Sequence, residues 1–64
     1  MEAIRILRKE RKLTQMELSK LVGISQTYLS QIESGTKFPT ISTLQKIATN
    51  LNMELSISFV SKQS

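Results

Sequence analysis

Sixty-four residues without cysteine or histidine allow one domain and one small core, with neither disulfide nor zinc to staple it. The same absences remove Cys–His and Ser–His nucleophilic catalysis, and Glu2, Glu10, Glu17, Glu33 and Glu54 are too scattered to form a paired-carboxylate site. A formal net charge of +4 favours a polyanionic partner, nucleic acid before membrane, and oligomerisation is left as the expected source of extra stability.

In chain order, the first predicted helix runs from about Glu2 to Arg11, with Ala3, Ile4 and Leu7 as its apolar stripe and Arg5, Arg8, Lys9 and Arg11 around it. Thr14-Gln15-Met16-Glu17 fits a capping box and opens a second helix, which continues to Val22 with Leu18 and Leu21 expected inward. Gly23 supplies the left-handed stop, and Ser25 caps a third helix, Gln26 to about Ser34, that buries Leu29 and Ile32. Gly35 closes that helix in the same way. The loop Thr36-Lys37-Phe38-Pro39 leads to the N-cap Thr40 and a fourth helix whose buried face is expected to be Ile41, Leu44, Ile47, Ala48 and Leu51. The tail then changes period. Met53, Leu55, Ile57 and Phe59 alternate with Glu54, Ser56 and Ser58, the period of two of a strand.

Residues 14–34 thus read as helix, tight glycine turn, N-cap and polar helix, which is a helix-turn-helix pattern. In such a motif the first helix crosses the sugar-phosphate backbone while the second lies in the major groove. Gly23, with Ile24 as an apolar plug, would fix the angle between them. The second helix would present Gln26, Thr27, Ser30 and Gln31 to base edges, with Leu29 and Ile32 anchoring its opposite side. On an isolated helix such side chains are usually just solvated; the surrounding pattern reverses that expectation for Gln26, Thr27 and Gln31 and leaves Ser30, Tyr28 and Lys46 open.

The arrangement resembles the Cro/cI-type (XRE) helix-turn-helix family, which includes the lambdoid phage repressors. The residues that carry the resemblance are Arg8, Leu13-Thr14-Gln15-x-Glu17-Leu18, Val22-Gly23-Ile24-Ser25, Ile32-Glu33-Ser34-Gly35 and Pro39-x-Ile41-x-x-Leu44-x-Lys46-Ile47-Ala48. It implies that Gln26, Thr27 and Gln31 read base edges. It further implies that Gln15, Ser25, Tyr28, Ser34, Thr36 and Lys37 lie where the family meets phosphate. Arg8 is implied to pair with Glu33 inside the protein. Lys12 departs from the pattern, since it stands where the family often carries Gly or Asn; if left-handed there it costs roughly 1–2 kcal/mol. Most of the cluster Arg5, Arg8, Lys9, Arg11 and Lys12 is expected to be a solvated face that adds long-range attraction.

A lone strand after four helices has no partner in its own chain, and its N–H and C=O groups must find one. The pattern predicts an antiparallel ribbon formed across a two-fold axis by residues 53–60 of two subunits. Met53, Leu55, Ile57 and Phe59 would be the dimerisation face, covering the paired fourth helices. The bland alternative is a frayed end. A helix-turn-helix domain followed by such a strand is similar to the HipB-like antitoxins, whose strands form an intersubunit lid and whose dimers bind both operator and toxin.

These readings predict a mainly α fold, a four-helix lambda-repressor-like helix-turn-helix domain over residues 1–52, with a C-terminal β-strand and tail over residues 53–64 that pairs across a dimer. The expected function is a transcriptional repressor that binds a palindromic operator in double-stranded DNA as a homodimer, with an autoregulating antitoxin as one form of it. The alternative is a protein-interaction module that mainly holds a toxin or another regulator. No enzyme, metal or cofactor is expected. No apolar run approaches the roughly 18 residues that span a bilayer. Met1 to Lys12 also lacks the apolar segment of a secretory signal, so a cytoplasmic protein without a membrane partner is expected.

Overall fold

The computed structural model describes residues 1–56 and contains four helices: α1 (Glu2–Glu10), α2 (Gln15–Val22), α3 (Gln26–Ser34) and α4 (Ile41–Asn50). Three of their starts are built by the caps that the sequence announces. The Thr14 hydroxyl accepts from the Glu17 N–H at 3.1 Å, and the Glu17 carboxylate accepts from the Thr14 N–H at 2.8 Å, which completes the capping box. Those bonds, the backbone one first, hold the Glu17 carboxyl below the usual carboxylate range. Ser25 and Thr40 accept in the same way from the N–H groups of Tyr28 and Thr43.

The helix ends follow two chemistries. Gly23 and Gly35 close α2 and α3 at φ 81° and 86°, a conformation costly for any residue with a Cβ. At the other two ends the left-handed residue is not glycine: Lys12 follows α1 at φ 56° and Asn52 follows α4 at φ 58°. Both ends form the paired bonds of a Schellman motif. The Leu13 and Lys12 N–H groups donate to the Arg8 and Lys9 carbonyls; those of Met53 and Asn52 donate to the Ala48 and Thr49 carbonyls. Asn adopts this backbone readily, whereas Lys does so at a cost. Lys12→Gly should therefore raise stability by up to about 1 kcal/mol, or some 4–8 °C in melting temperature for a domain this small. A melting temperature unchanged or lowered in Lys12→Gly would show that the Lys12 side chain makes a compensating contact.

The core is formed by Ile4, Leu18, Val22, Leu29, Ile32, Ile47 and Leu51, with Leu7, Leu13, Ile24, Tyr28 and Leu44 packed around it. Leu18, Leu29 and Ile32 are completely buried. Each contributes on the order of 1.5–3 kcal/mol, in a chain with no covalent staple. Helix α2 packs on both α3 and α4, and α1 packs on α3. That arrangement rotates α2 relative to its expected orientation: Leu18, Ser19 and Val22 face inward, whereas Leu21 is 52% exposed. The buried Ser19 hydroxyl is satisfied by the Met16 carbonyl at 2.8 Å. Two further expectations are corrected. Ala3 is exposed on α1, and Ile41, in the first turn of α4, is 66% exposed.

The expected strand does not begin at Met53. The Met53 N–H is used at 2.8 Å by the Ala48 carbonyl, so this residue ends α4, and residues 53–56 form no regular structure. A strand needs a neighbouring strand to take its backbone bonds, and none exists among the described residues. Ile57 and Phe59 lie outside the described residues. Leu55 is half-buried and lines, with Ile4, Leu7, Leu44 and Ala48, an apolar cleft of about 150 Å³ between α1 and α4.

Candidate nucleic-acid interface

Helix α3 divides cleanly. Leu29, Ile32 and Glu33 are buried, while Gln26, Thr27, Ser30 and Ser34 are exposed and Gln31 is half-exposed. The outward residues recur at spacings of three and four, so they share one face. Gln15, the first residue of α2, joins them: Gln15, Gln26, Thr27, Ser30 and Gln31 line one shallow depression. A second depression runs on from it past Gln15, Ser30 and Ser34 to Gly35, Phe38 and Arg5. The structure thus brings together the four expected base-reading residues and Gln15.

The other residues expected at phosphate are placed less uniformly. The Ser25 hydroxyl accepts the cap bond from Tyr28 and keeps its own proton to donate. Tyr28 is half-buried against the core, which limits how much of its ring can meet a partner. Ser34 and Thr36 share a hydroxyl–hydroxyl bond of 2.9 Å at the end of α3. The backbone N–H groups of Thr36 and Lys37 both donate to the Gln31 carbonyl, so this loop offers side chains rather than its own amides. Lys37 is exposed, as are Thr36 and Ser34.

Behind this face lies an ionic hub. Arg8 is 8% exposed, and so is Glu33. Arg8 Nε and Nη2 donate to Glu33 Oε2 and Oε1 at 2.8 and 3.0 Å, a bidentate pair, and Nη1 donates to the Leu13 carbonyl at 2.8 Å. Gln15 Nε2 donates to Glu33 Oε1 at 3.1 Å. The pair ties α1 to α3, and Gln15 adds α2. Burial pushes the Glu33 carboxyl up, but the hydrogen bonds from Arg8 and Gln15 and the charges of Arg8 and Arg5 together leave it below the usual carboxylate range. The bond to Glu33, outweighing burial, raises the Arg8 guanidinium further above its already high value.

The cationic surface is correspondingly smaller than the composition suggests. Arg8 is consumed by Glu33, and Arg11 donates at 3.0 Å to the Leu51 carbonyl at the end of α4, where a cation meets the negative end of the helix dipole. Arg5 forms an exposed pair with Glu2 at 3.1 Å, an interaction that contributes little to stability. Sequence reasoning passed over two features of the interface. Phe38, 85% exposed, stands beside the far end of α3. The Gln15–Glu33 bond joins residues 18 positions apart and carries no local signature.

A short turn, a polar outward helix and a preceding helix whose start abuts it define a helix-turn-helix domain. The chain belongs to the helix-turn-helix family, whose pattern it matches over residues 4–57, and within it to the Cro/cI-like XRE type that the motif resembled. It is 46% identical over 50 residues to the ImmF control region 10 kDa protein of Bacillus phage phi105, covering 78% of this chain and 56% of that protein. It is 40% identical over 55 residues to the immunity repressor protein of the same phage, covering 86% of this chain and 38% of the repressor. The HTH-type transcriptional regulator SutR of Escherichia coli (strain K12) is 42% identical over 50 residues, 78% of this chain and 28% of the regulator. The chain therefore spans about half the length, or less, of these relatives.

Proposed function

We propose that this chain is a sequence-specific DNA-binding repressor of transcription that acts as a homodimer on a palindromic operator. The observation that carries the reading is the outward face of α3, where Gln26, Thr27, Ser30 and Gln31 stand together beside the start of α2. Glutamine amides both donate and accept, and they pair bidentately with adenine N6 and N7; a threonine methyl suits the thymine methyl. Gln15, Ser25, Tyr28, Ser34, Thr36 and Lys37 surround that face and are assigned to phosphate, which fixes register without reading sequence. The names of the two phage relatives, an immunity repressor and an immunity control-region protein, favour repression. The family is one of regulators rather than enzymes, and a cytoplasmic location is proposed along with DNA binding. Among the described residues no helix is long and apolar enough to cross a membrane.

The homodimer is supported by the small core and by the open apolar cleft between α1 and α4, beside which Met53 is 39% exposed. The alternating apolar residues Met53, Leu55, Ile57 and Phe59 are proposed to pair the tail, residues 53–64, with that of a second subunit. The antitoxin role suggested by the tail draws no support from the relatives reported above.

Alanine at Gln26, Thr27 or Gln31 should weaken binding to a selected operator by roughly 1–3 kcal/mol, least at Thr27, and leave random duplex nearly untouched. Competition between the two duplexes measures this. Equal losses on both would assign these residues to the backbone or to folding.

Lys37→Ala should instead lower affinity for every sequence and reduce the slope of log affinity against log salt by about one. Titrations at three or more salt concentrations give that slope. An unchanged value would place the Lys37 ammonium away from phosphate.

A further inference from the structure

We infer that Glu33, 8% exposed beneath the start of α2, is a positioning residue for DNA binding, because it fixes which atoms of the Gln15 side-chain amide face the interface. The inference rests on the DNA-binding reading above and names a residue that reading does not use.

An ionised carboxylate only accepts hydrogen bonds. Glu33 is kept ionised by the bidentate Arg8 guanidinium, and its Oε1 receives both Arg8 Nη2 at 3.0 Å and Gln15 Nε2 at 3.1 Å. Turning the Gln15 amide over would place its carbonyl oxygen against that carboxylate oxygen, two acceptors in contact, so the flipped state is disfavoured. On an exposed glutamine the two orientations are nearly equal in energy; here one is selected. One amide N–H is spent on Glu33. The amide keeps a single N–H and its carbonyl oxygen for whatever enters the depression shared with Gln26, Thr27, Ser30 and Gln31. A phosphate oxygen accepts only, so it can use that N–H and is repelled by the carbonyl oxygen.

Each link of the support is a hydrogen bond. Arg8 Nη1 is anchored on the Leu13 carbonyl at 2.8 Å, in the Schellman turn after α1, so the guanidinium cannot swing away with its partner. Every buried polar side-chain atom among the described residues has a hydrogen-bond partner, and the hub has no slack to take up. The hub therefore does two separable things: Arg8–Glu33 holds helices together, and Glu33–Gln15 orients a surface amide in advance, sparing DNA the loss of side-chain freedom on binding.

A double-mutant cycle on DNA affinity separates these roles. The probe is a random-sequence duplex of about 20 bp, two helical turns, at low salt, where phosphate contacts dominate. Gln15→Ala alone should weaken binding. Glu33→Gln should weaken it about five- to tenfold in the native background, the size of one ordinary hydrogen bond. In the Gln15→Ala background the loss should shrink to less than about twofold on the same scale. Its effect on melting temperature should persist in both. An equal loss of affinity in both backgrounds overturns the inference, since Glu33 then acts through the fold alone, and so does an unweakened Gln15→Ala.

NMR on the unmodified chain supplies a second readout, which decides the matter should Glu33→Gln fail to fold. The Gln15 side-chain NH₂ should exchange with water more slowly than that of Gln26 and should shift as the Glu33 carboxylate is titrated with acid. A Gln15 amide indistinguishable from the Gln26 amide overturns the inference. If the native chain binds no duplex at all, the DNA-binding reading fails and this inference with it, and that result appears before any variant is made.

Discussion

Arg8→Ala is expected to lower the stability of the domain by about 3–5 kcal/mol, because it leaves the buried Glu33 carboxylate without its counter-ion. A domain this size has a total stability of only about 3–10 kcal/mol, so the variant should be partly unfolded at ordinary temperature. Urea melts of Arg8→Ala, Glu33→Gln and the double variant would measure the coupling between the two side chains. Coupling near zero would mean that the bidentate geometry contributes nothing beyond packing. The same pair predicts a pH dependence. Glu33 has a folded pKa below its unfolded value of about 4.3, so its stabilising effect is complete above that value and disappears as pH falls through the lower, folded one. Glu33→Gln should therefore show a flatter loss of stability between about pH 4.3 and more acidic conditions than the native chain. Glu17, whose carboxyl is held down by the capping box, retains part of the slope in both.

The second large effect is expected from removing residues 57–64. A chain ending at Ser56 keeps all four helices and the Schellman turn at Asn52 and Met53. If the tail completes the dimer, this chain should sediment as a monomer. Its recognition face would be intact, so weak half-site binding should remain. Affinity for a palindrome with half-sites about 34–36 Å apart should nevertheless fall by two to four orders of magnitude, since the second half-site is no longer engaged at high effective concentration. Ile57→Asp, in the full chain, should act in the same direction by placing a charge on the proposed apolar face. A truncated chain that still sediments as a dimer and binds the palindrome as before would move the interface to the cleft between α1 and α4. The tail would then have some other use.

Much of this architecture is written in short-range chemistry. Thr14 with Glu17, Ser25 and Thr40 mark helix starts because a hydroxyl reaches the N–H three residues ahead, and Gly23 and Gly35 mark stops because glycine takes a positive φ without strain. These interactions close within a turn of helix, so a reader of the chain can find them. The polar face of α3 is equally legible, being one side of a helix whose other side carries Leu29 and Ile32. The Arg8–Glu33 pair was reached differently, through likeness to a family; nothing in the spacing of two residues 25 positions apart announces a contact. Where a helix sits against several neighbours, its inward sector depends on all of them. Hence Val22 rather than Leu21 enters the core, and Ile41 stays outside it. Arg11 finds the Leu51 carbonyl across 40 positions, and Met53 turns its N–H back to α4 despite the alternating pattern that begins there. Local preference ranks the conformations open to a segment of a few residues. The hydrogen bonds and buried area gained when distant segments meet then choose among them, and Gln15 held by Glu33 is such a choice.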